Sequence, residues 1–224
     1  PYERTDKYGR QFFCEIHWAL SLPRPNIILF PDIWKNASMQ KVNDMSVLCL
    51  SPEGMFFSLI TQLRRHNRPF SLRYICDIYR LIKLYGSRID WGYIIKESKR
   101  NRLKSTAYLA LCSVKEILGM PVPKDVLAEI DPGFIKRKII GYLIKNKTFS
   151  ISLKKSTTEN YLYVFVRFLI YDTARDFISF IVSIPLEEFA RFYSLNMGSK
   201  NTILLYKFRI AYMPYKLFLN IFSI

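Results

Sequence analysis

The spacing of apolar residues changes near residue 50, and the change predicts a β-rich start followed by helices. Before that point the apolar residues stand in short runs between polar or proline-containing segments, which is typical of strands and loops. The best strand candidate spans residues 12–20, and it ends at Leu22-Pro23-Arg24-Pro25 because proline cannot donate a ladder hydrogen bond. Residues 26–30 and 47–50 are shorter candidates.

The first two predicted helices carry clear end signals. Ser51 is placed to cap the first helix, with Pro52 at its first position and Glu53 favourable to the helix dipole. The predicted apolar face of this helix consists of Phe56, Leu59, Ile60 and Leu63. Ser71 is placed to cap the second helix, and Gly86 is placed to end it. The predicted buried stripe of the second helix consists of Leu72, Ile75, Tyr79 and Ile82.

Further helices are predicted along the rest of the chain. Asp90 is placed to cap one helix, and another spans about residues 105–118 before a stop signal at Gly119. Asp131 can start a helix that runs to about residue 145. Residues 148–160 are polar and indicate a linker or a surface hairpin. These patterns predict an α+β fold that is mostly α.

The predicted fold has three divisions, which differ in charge. Residues 1–50 form the α/β part, residues 51–133 a helical domain and residues 134–224 a basic helical region. The net charge of the chain is +16, and the last division alone carries 14 basic and five acidic groups. Such an excess favours an anionic partner, which means nucleotide phosphates, nucleic acid or a membrane surface. The amino-acid bias of a low-GC genome accounts for it equally well.

Composition argues against several kinds of site. The four cysteines are widely scattered without a C-x-x-C pair and the chain has two histidines, so neither a zinc site nor a disulfide framework is expected. Reduced thiols indicate a cytoplasmic protein. The charge-free apolar runs are shorter than the roughly 18 residues that a membrane span needs, so no transmembrane segment is predicted. Because the first residue is Pro1, we expect a fragment or a trimmed chain.

One carboxylate stands alone in the best strand candidate. Glu15 lies within Phe12-Phe13-Cys14-Glu15-Ile16-His17-Trp18, and a charge among such neighbours has to be paired or used. His17 shares its strand face because side chains alternate along a strand. It is a candidate to orient Glu15 or to contact substrate, and an ordinary core or surface histidine is the alternative.

Six short motifs follow one another in a recognisable order. They are Glu15-Ile16-His17-Trp18, Leu50-Ser51-Pro52-Glu53, Arg65-His66, Arg73-Tyr74-Ile75-Cys76-Asp77, Ile89-Asp90-Trp91 and Leu118-Gly119-Met120-Pro121-Val122-Pro123. Their order and spacing resemble those of the bacterial uncharacterised nucleotidyltransferase family, a branch of the DNA polymerase β-like superfamily. The resemblance covers about residues 10–128 and extends weakly to residues 185–195.

The resemblance implies a remnant of the nucleotidyltransferase α/β sheet followed by a helical C-terminal body. It also implies that Glu15 is the third acid of a magnesium site, beside a Gly-Ser turn and an Asp-x-Asp pair. The alternative is that Glu15 is a solvated strand residue or a salt-bridge partner. No Asp-x-Asp occurs in the chain, so we expect the chain to be catalytically incomplete. We expect it to use Mg²⁺ with an NTP donor only if the segment with the Gly-Ser turn and the Asp-x-Asp pair is supplied.

The resemblance also implies residues that contact the substrate. Arg65 and His66 match a basic pair on the first helix, and Gln62 lies one helical turn before His66. Arg73 and Asp77 are spaced i, i+4, so Asp77 is placed to hold Arg73 towards a phosphate or a base. The alternatives are a solvated basic face and an ordinary surface ion pair.

The function implied is transfer of a nucleoside monophosphate from an NTP to a hydroxyl acceptor, whose identity the sequence does not reveal. The alternative from another class is a non-catalytic basic helical module that binds RNA or an anionic membrane surface, with residues 203–224 at the interface. A product of gene decay without activity is a third possibility.

Overall fold

The fold is described from a computed structural model. It describes residues 2–5, 9, 11–14, 33–34, 36–65, 72–145, 168–183, 185–192, 195–196, 198–209 and 211, and the statements below concern those residues. Glu15, His17 and His66 lie outside them, as do the strand candidate at residues 26–30 and the linker candidate at residues 148–160.

The strands form two separate antiparallel hairpins, each with two strands. The first pairs β1 (Tyr2–Thr5) with β2 (Gln11–Cys14), and the second pairs β3 (Ser38–Val42) with β4 (Met45–Cys49). Asn43 adopts φ of +53° in the two-residue turn between β3 and β4, a conformation that asparagine tolerates better than most residues. The strand predicted at residues 47–50 is therefore confirmed as the greater part of β4, whereas the described part of the candidate at residues 12–20 ends at Cys14.

Most described residues after Cys49 belong to nine α-helices. They are α1 (Pro52–Arg65), α2 (Leu72–Tyr85), α3 (Trp91–Arg100), α4 (Lys104–Leu118), α5 (Lys124–Glu129), α6 (Phe134–Lys145), α7 (Ala174–Val182), α8 (Leu186–Phe192) and α9 (Lys200–Lys207). A short 3₁₀-helix, Gly86–Arg88, follows α2. The predicted fold class, α+β and mostly α, is confirmed.

Several predicted helix ends are confirmed by their hydrogen bonds. The Ser51 hydroxyl accepts from the Gly54 N–H at 3.1 Å, and the Asp90 carboxylate accepts from the Tyr93 N–H at 2.9 Å. Gly119 ends α4 in the left-handed conformation with φ of +66°. Helix α6 begins at Phe134 rather than at Asp131, because Gly133 has φ of +98°, which is incompatible with a right-handed helix.

The core lies between α1, α2 and α4, which pack on one another. Helix α4 is buried over most of its length, and its Leu109 and Leu111 are fully buried. The apolar face predicted for α1 is confirmed at its three buried positions, Phe56, Ile60 and Leu63.

The stripe predicted for α2 is wrong at two positions. Leu72 is 53% exposed and Tyr79 is half-buried, whereas Ile78 and Leu81 are buried together with Ile75 and Ile82. The reason is rotation of the helix: residues 75, 78 and 82 follow the i, i+3, i+7 spacing that faces α1 and α4, and Leu72 lies at the solvent-facing edge.

Candidate functional site

The described site residues lie on two helices that pack against each other, α1 and α2. Gln62 is half-buried in the last turn of α1, and Arg65 is the last residue of that helix. Arg73 is the second residue of α2. Six residues separate the two helices, so the end of α1 and the start of α2 are adjacent along the chain. Glu15 and His66 lie outside the described residues.

The solvent-facing side of α2 carries two arginines and a carboxylate. Arg73 and Arg80 are exposed and Asp77 is half-buried. Their i, i+4, i+7 spacing places all three on one helical face, opposite the buried isoleucines. Over the described part of the chain, no ion pair joins Arg73 to Asp77, so the surface ion pair considered from sequence is absent. The two guanidinium groups are therefore exposed to solvent and accessible to an anion.

Three other arginines of the described residues are held by protein groups. Arg137 pairs with Asp131, and Arg102 pairs with Asp176. Arg209 donates to the Val182 carbonyl at 2.6 Å and lies over the ring of Tyr206. In contrast, neither Arg73 nor Arg80 has an ion pair among the residues described. The exposed face of α2 thus offers two neighbouring arginines to an external anion.

Two of the sequence motifs meet in the fold and have a structural role. The Glu53 side chain is buried at the start of α1, and its carboxylate accepts from the Asp90 N–H at 2.9 Å. Asp90 in turn caps α3 through Tyr93. Glu53 was predicted only to favour the dipole of its own helix. The structure instead shows a contact that fixes the start of α3 against the start of α1, because a buried carboxylate needs hydrogen-bond donors.

A buried arginine that the sequence analysis did not identify lies next to the predicted basic pair. Arg64 is 8% exposed, and its guanidinium lies 4.2 Å from the centre of the Tyr171 ring. It also donates to the carbonyl of Arg102 at 3.1 Å. The signal was present in the sequence: Arg64 follows Phe57 by seven residues and Ile60 by four, which places it on the buried side of α1.

The contact between Arg102 and Asp176 extends this buried network. Asp176 is 3% exposed, and its carboxylate accepts from Arg102 at 2.6 Å and from the Thr173 hydroxyl at 2.7 Å. Burial opposes ionisation of this carboxyl group, but the hydrogen bonds from Thr173 and Arg102 outweigh it, so the pKa of Asp176 is lowered. Asp176 is therefore ionised at neutral pH, and its charge is used inside the protein.

A second carboxylate of the same segment caps a core helix. The two oxygens of Asp172 accept from the N–H groups of Lys104 and Ser105 at 3.0 and 2.7 Å, which are the first two residues of α4. Lys136 donates to the carbonyls of Tyr171 and Asp172, and burial lowers the pKa of its ammonium group. These contacts attach residues 171–176 to the core through polar groups.

The Cys112 thiol is not activated. Cys49, Cys76 and Cys112 form no disulfide among the described residues. Burial raises the pKa of the Cys112 thiol, and burial together with Cys112 raises the pKa of Tyr108 to about 12. Both groups are therefore protonated at neutral pH, which does not suit a thiolate nucleophile.

The described residues do not fit the two-metal site of a nucleotidyltransferase. Within the described ranges no three His, Cys, Asp or Glu side chains are grouped so that they could hold a metal ion. The sequence contains no Asp-x-Asp, and two Mg²⁺ ions need several oxygen ligands. Asp172 caps α4 and Asp176 pairs with Arg102, so both carboxylates already contact protein groups. Glu15, the predicted third acid, lies outside the described residues.

Comparison with known families confirms the resemblance found in the motifs. The family model described as uncharacterised nucleotidyltransferase matches residues 1–119, and the chain belongs to that family. Neither the curated proteins nor the solved structures include a match to this chain. Among the described residues, no helix is both long and apolar enough to cross a membrane.

Proposed function

We propose that this chain binds an NTP on the exposed face of α2 and the adjoining end of α1, as part of a nucleotidyltransferase that transfers a nucleoside monophosphate to a hydroxyl acceptor. In this proposal Arg65, His66 and Arg73 contact phosphates or the acceptor, and Gln62 contributes a polar contact from α1. Asp77 orients Arg73, and Glu15 is the contribution of this chain to the metal site of the family.

The observation that supports the proposal is the accessibility of Arg73 and Arg80 within the part of the chain that the family model matches. A guanidinium group binds phosphate oxygens through two parallel hydrogen bonds, which lysine cannot reproduce. The half-buried carboxylate of Asp77 lies one turn from Arg73, where it can restrict the arginine once a ligand is bound. The sequence has no Asp-x-Asp pair, so we propose that the chain alone binds the nucleotide without transferring it.

The first test measures binding of the four Mg²⁺-NTPs by calorimetry, with Arg73→Ala as the variant. Loss of a charged bidentate contact should weaken binding on the order of tenfold or more, since such hydrogen bonds contribute about 1.5–3 kcal/mol. Arg175→Ala is the matched control, because Arg175 is also exposed and is also the second residue of its helix, α7. An equal loss in both variants would mean that charge, rather than a site on α2, determines binding.

Two further variants separate the assigned roles. Asp77→Asn should weaken NTP binding less than Arg73→Ala does, because it removes only the group that orients the arginine. Glu15→Gln should remove the dependence of binding on Mg²⁺, since an amide is a poorer ligand for a hard cation. Binding that is unchanged in Glu15→Gln and independent of Mg²⁺ would contradict the assignment of Glu15.

Salt dependence distinguishes the alternative function. A non-catalytic module that binds RNA should lose affinity steeply between about 50 and 200 mM salt, because each neutralised phosphate releases counterions. The proposed site contacts one nucleotide and should show a much shallower dependence. RNA binding that is tighter than NTP binding and equally reduced by Arg73→Ala and Arg175→Ala would favour the RNA-binding function.

A further inference from the structure

The outward face of α6 combines large apolar side chains with lysines. Phe134, Ile135 and Tyr142 are 65%, 70% and 67% exposed, and Lys138 and Lys145 are exposed between them. At 3.6 residues per turn these five positions form one stripe about 100° wide. The opposite side of the helix is buried through Ile140, Leu143 and Ile144. Helix α6 contains no acidic residue, so the stripe is purely apolar and cationic.

A second helix repeats this combination independently. Ile203, Leu204 and Phe208 are 43%, 55% and 63% exposed, and they accompany exposed Lys200 and Lys207. Phe208 directly follows α9, and at 3.6 residues per turn all five positions fall within a stripe about 140° wide. Thr202 lies on the other side and is buried. Helix α9 also lacks acidic residues, so two separate helices of residues 134–209 show the same surface chemistry.

The placement of the acidic residues after residue 133 makes the surface of this region more cationic. Asp172 caps α4 and Asp176 pairs with Arg102, so two of the five acids after residue 133 face protein groups rather than solvent. The exposed face of α2 differs from the two stripes because it includes Asp77. The surfaces of α6 and α9 are therefore complementary in charge to an anionic partner, and they also offer apolar side chains that water solvates poorly.

We propose that the outward faces of α6 and α9 dock on the surface of an anionic lipid bilayer. Lysine side chains can extend to lipid headgroups while neighbouring apolar side chains enter the acyl boundary, which is how interfacial helices bind. Three of the six apolar residues, Ile135, Ile203 and Leu204, are aliphatic and cannot stack on nucleic-acid bases, so a lipid surface fits better than RNA. The contact is peripheral, and it is separate from the nucleotide surface on α2.

Co-sedimentation of the full chain with lipid vesicles tests this proposal. The protein should bind vesicles of phosphatidylcholine with about one third phosphatidylglycerol, and it should bind pure phosphatidylcholine vesicles at least tenfold more weakly. Binding should also weaken as salt shortens the range of the charge interaction. Equal binding to both kinds of vesicle, or to neither, would overturn the proposal.

Paired substitutions locate the surface on the two helices. The apolar variants Phe134→Ser/Ile135→Ser and Ile203→Ser/Leu204→Ser should each reduce binding at least fivefold, and Lys138→Ala/Lys145→Ala should do the same. The matched controls are Met39→Ser/Leu48→Ser, which changes exposed apolar residues of the second hairpin, and Lys96→Ala/Lys124→Ala, which changes exposed lysines of α3 and α5.

The controls should keep at least half of the wild-type binding. The proposal fails if the controls lose as much binding as the α6 and α9 variants. It also fails if single-stranded RNA displaces the protein from vesicles and its own binding is reduced by the same apolar substitutions, because the two faces would then be an RNA surface. Thermal unfolding of each variant checks that the exposed substitutions leave the fold intact.

Discussion

Residues 52–118 and residues 168–176 both pack into the apolar core, but the second region also depends on charged groups. The helices of the first region pack through fully buried apolar side chains, such as Ile60, Ile75 and Leu111. The second region buries Leu169 and Ile170 in the same core, and it is also attached through charged groups, with the Asp172 carboxylate on the start of α4 and the Asp176 carboxylate on Arg102. Apolar packing depends on the area removed from water, whereas polar attachment depends on partners and on pH. The difference indicates where substitutions should act most strongly.

The largest effect is expected in the apolar core. Leu111→Ala removes a fully buried side chain from α4, so the free energy of unfolding should fall by about 2–5 kcal/mol through lost burial and a residual cavity. Urea unfolding measures the change. Leu204→Ala is the exposed control, since Leu204 of α9 is 55% exposed and its truncation should change stability by less than about 0.5 kcal/mol. Similar losses in both variants would show that burial in the core does not determine the loss of stability.

A smaller loss of stability, which depends on pH, is expected when the ion pair between Arg102 and Asp176 is removed. Asp176→Asn removes the ionised partner of Arg102 and Thr173, and it should lower the free energy of unfolding by about 1–3 kcal/mol at pH 7. The pKa of Asp176 is lowered in the folded state, so its contribution exists above the ordinary value of 3.8 and is lost as the pH falls through the folded pKa. Urea unfolding from pH 7 down to about pH 3 should show the difference between wild type and variant shrinking.

The control for this prediction is Asp125→Asn, because Asp125 is exposed in the first turn of α5. Its effect should stay below about 0.5 kcal/mol at pH 7. If wild type and Asp176→Asn differed by the same amount at every pH, ionisation of Asp176 would not be the source of the stability.

Losses of stability of about the same size or smaller are expected at two helix caps, one formed by a distant residue and one formed locally. Asp172→Ala should reduce the free energy of unfolding by about 2 kcal/mol, because two N–H groups of α4 lose their acceptor. Asp90→Ala should reduce it by about 1 kcal/mol, because one N–H group of α3, that of Tyr93, loses its acceptor. Urea unfolding gives both values. Hydrogen exchange at the Lys104 and Ser105 amides should rise in Asp172→Ala and stay at the wild-type rate in Asp90→Ala. Faster exchange at these amides in both variants would contradict the separate roles of the two caps.

The candidate site was only partly predictable from the sequence. The i, i+4 spacing placed Arg73 and Asp77 on one face of a helix, and the structure confirms that both lie in α2 and adds Arg80 to the same face. The motifs identified the family, whose model matches residues 1–119. The burial of Arg64 was not predicted, although its spacing from Phe57 and Ile60 places it on the buried side of α1. Its partners, Tyr171 and the Arg102 carbonyl, lie far away along the chain and are known only from the structure. The roles of all the proposed site residues remain predictions, namely Glu15, Gln62, Arg65, His66, Arg73 and Asp77.

The sequence by itself determined where α1, α2, α3 and α4 begin, and where α2 and α4 end, to within a residue or two, since caps, glycine conformations and apolar spacing act locally. Only the tertiary structure determined which charges are used inside the protein. Glu53 contacts Asp90 across 37 residues, Asp172 contacts Lys104 across 68 and Asp176 contacts Arg102 across 74. Such pairs depend on how distant segments meet, and a carboxylate that caps a remote helix has the same local sequence context as a solvated one.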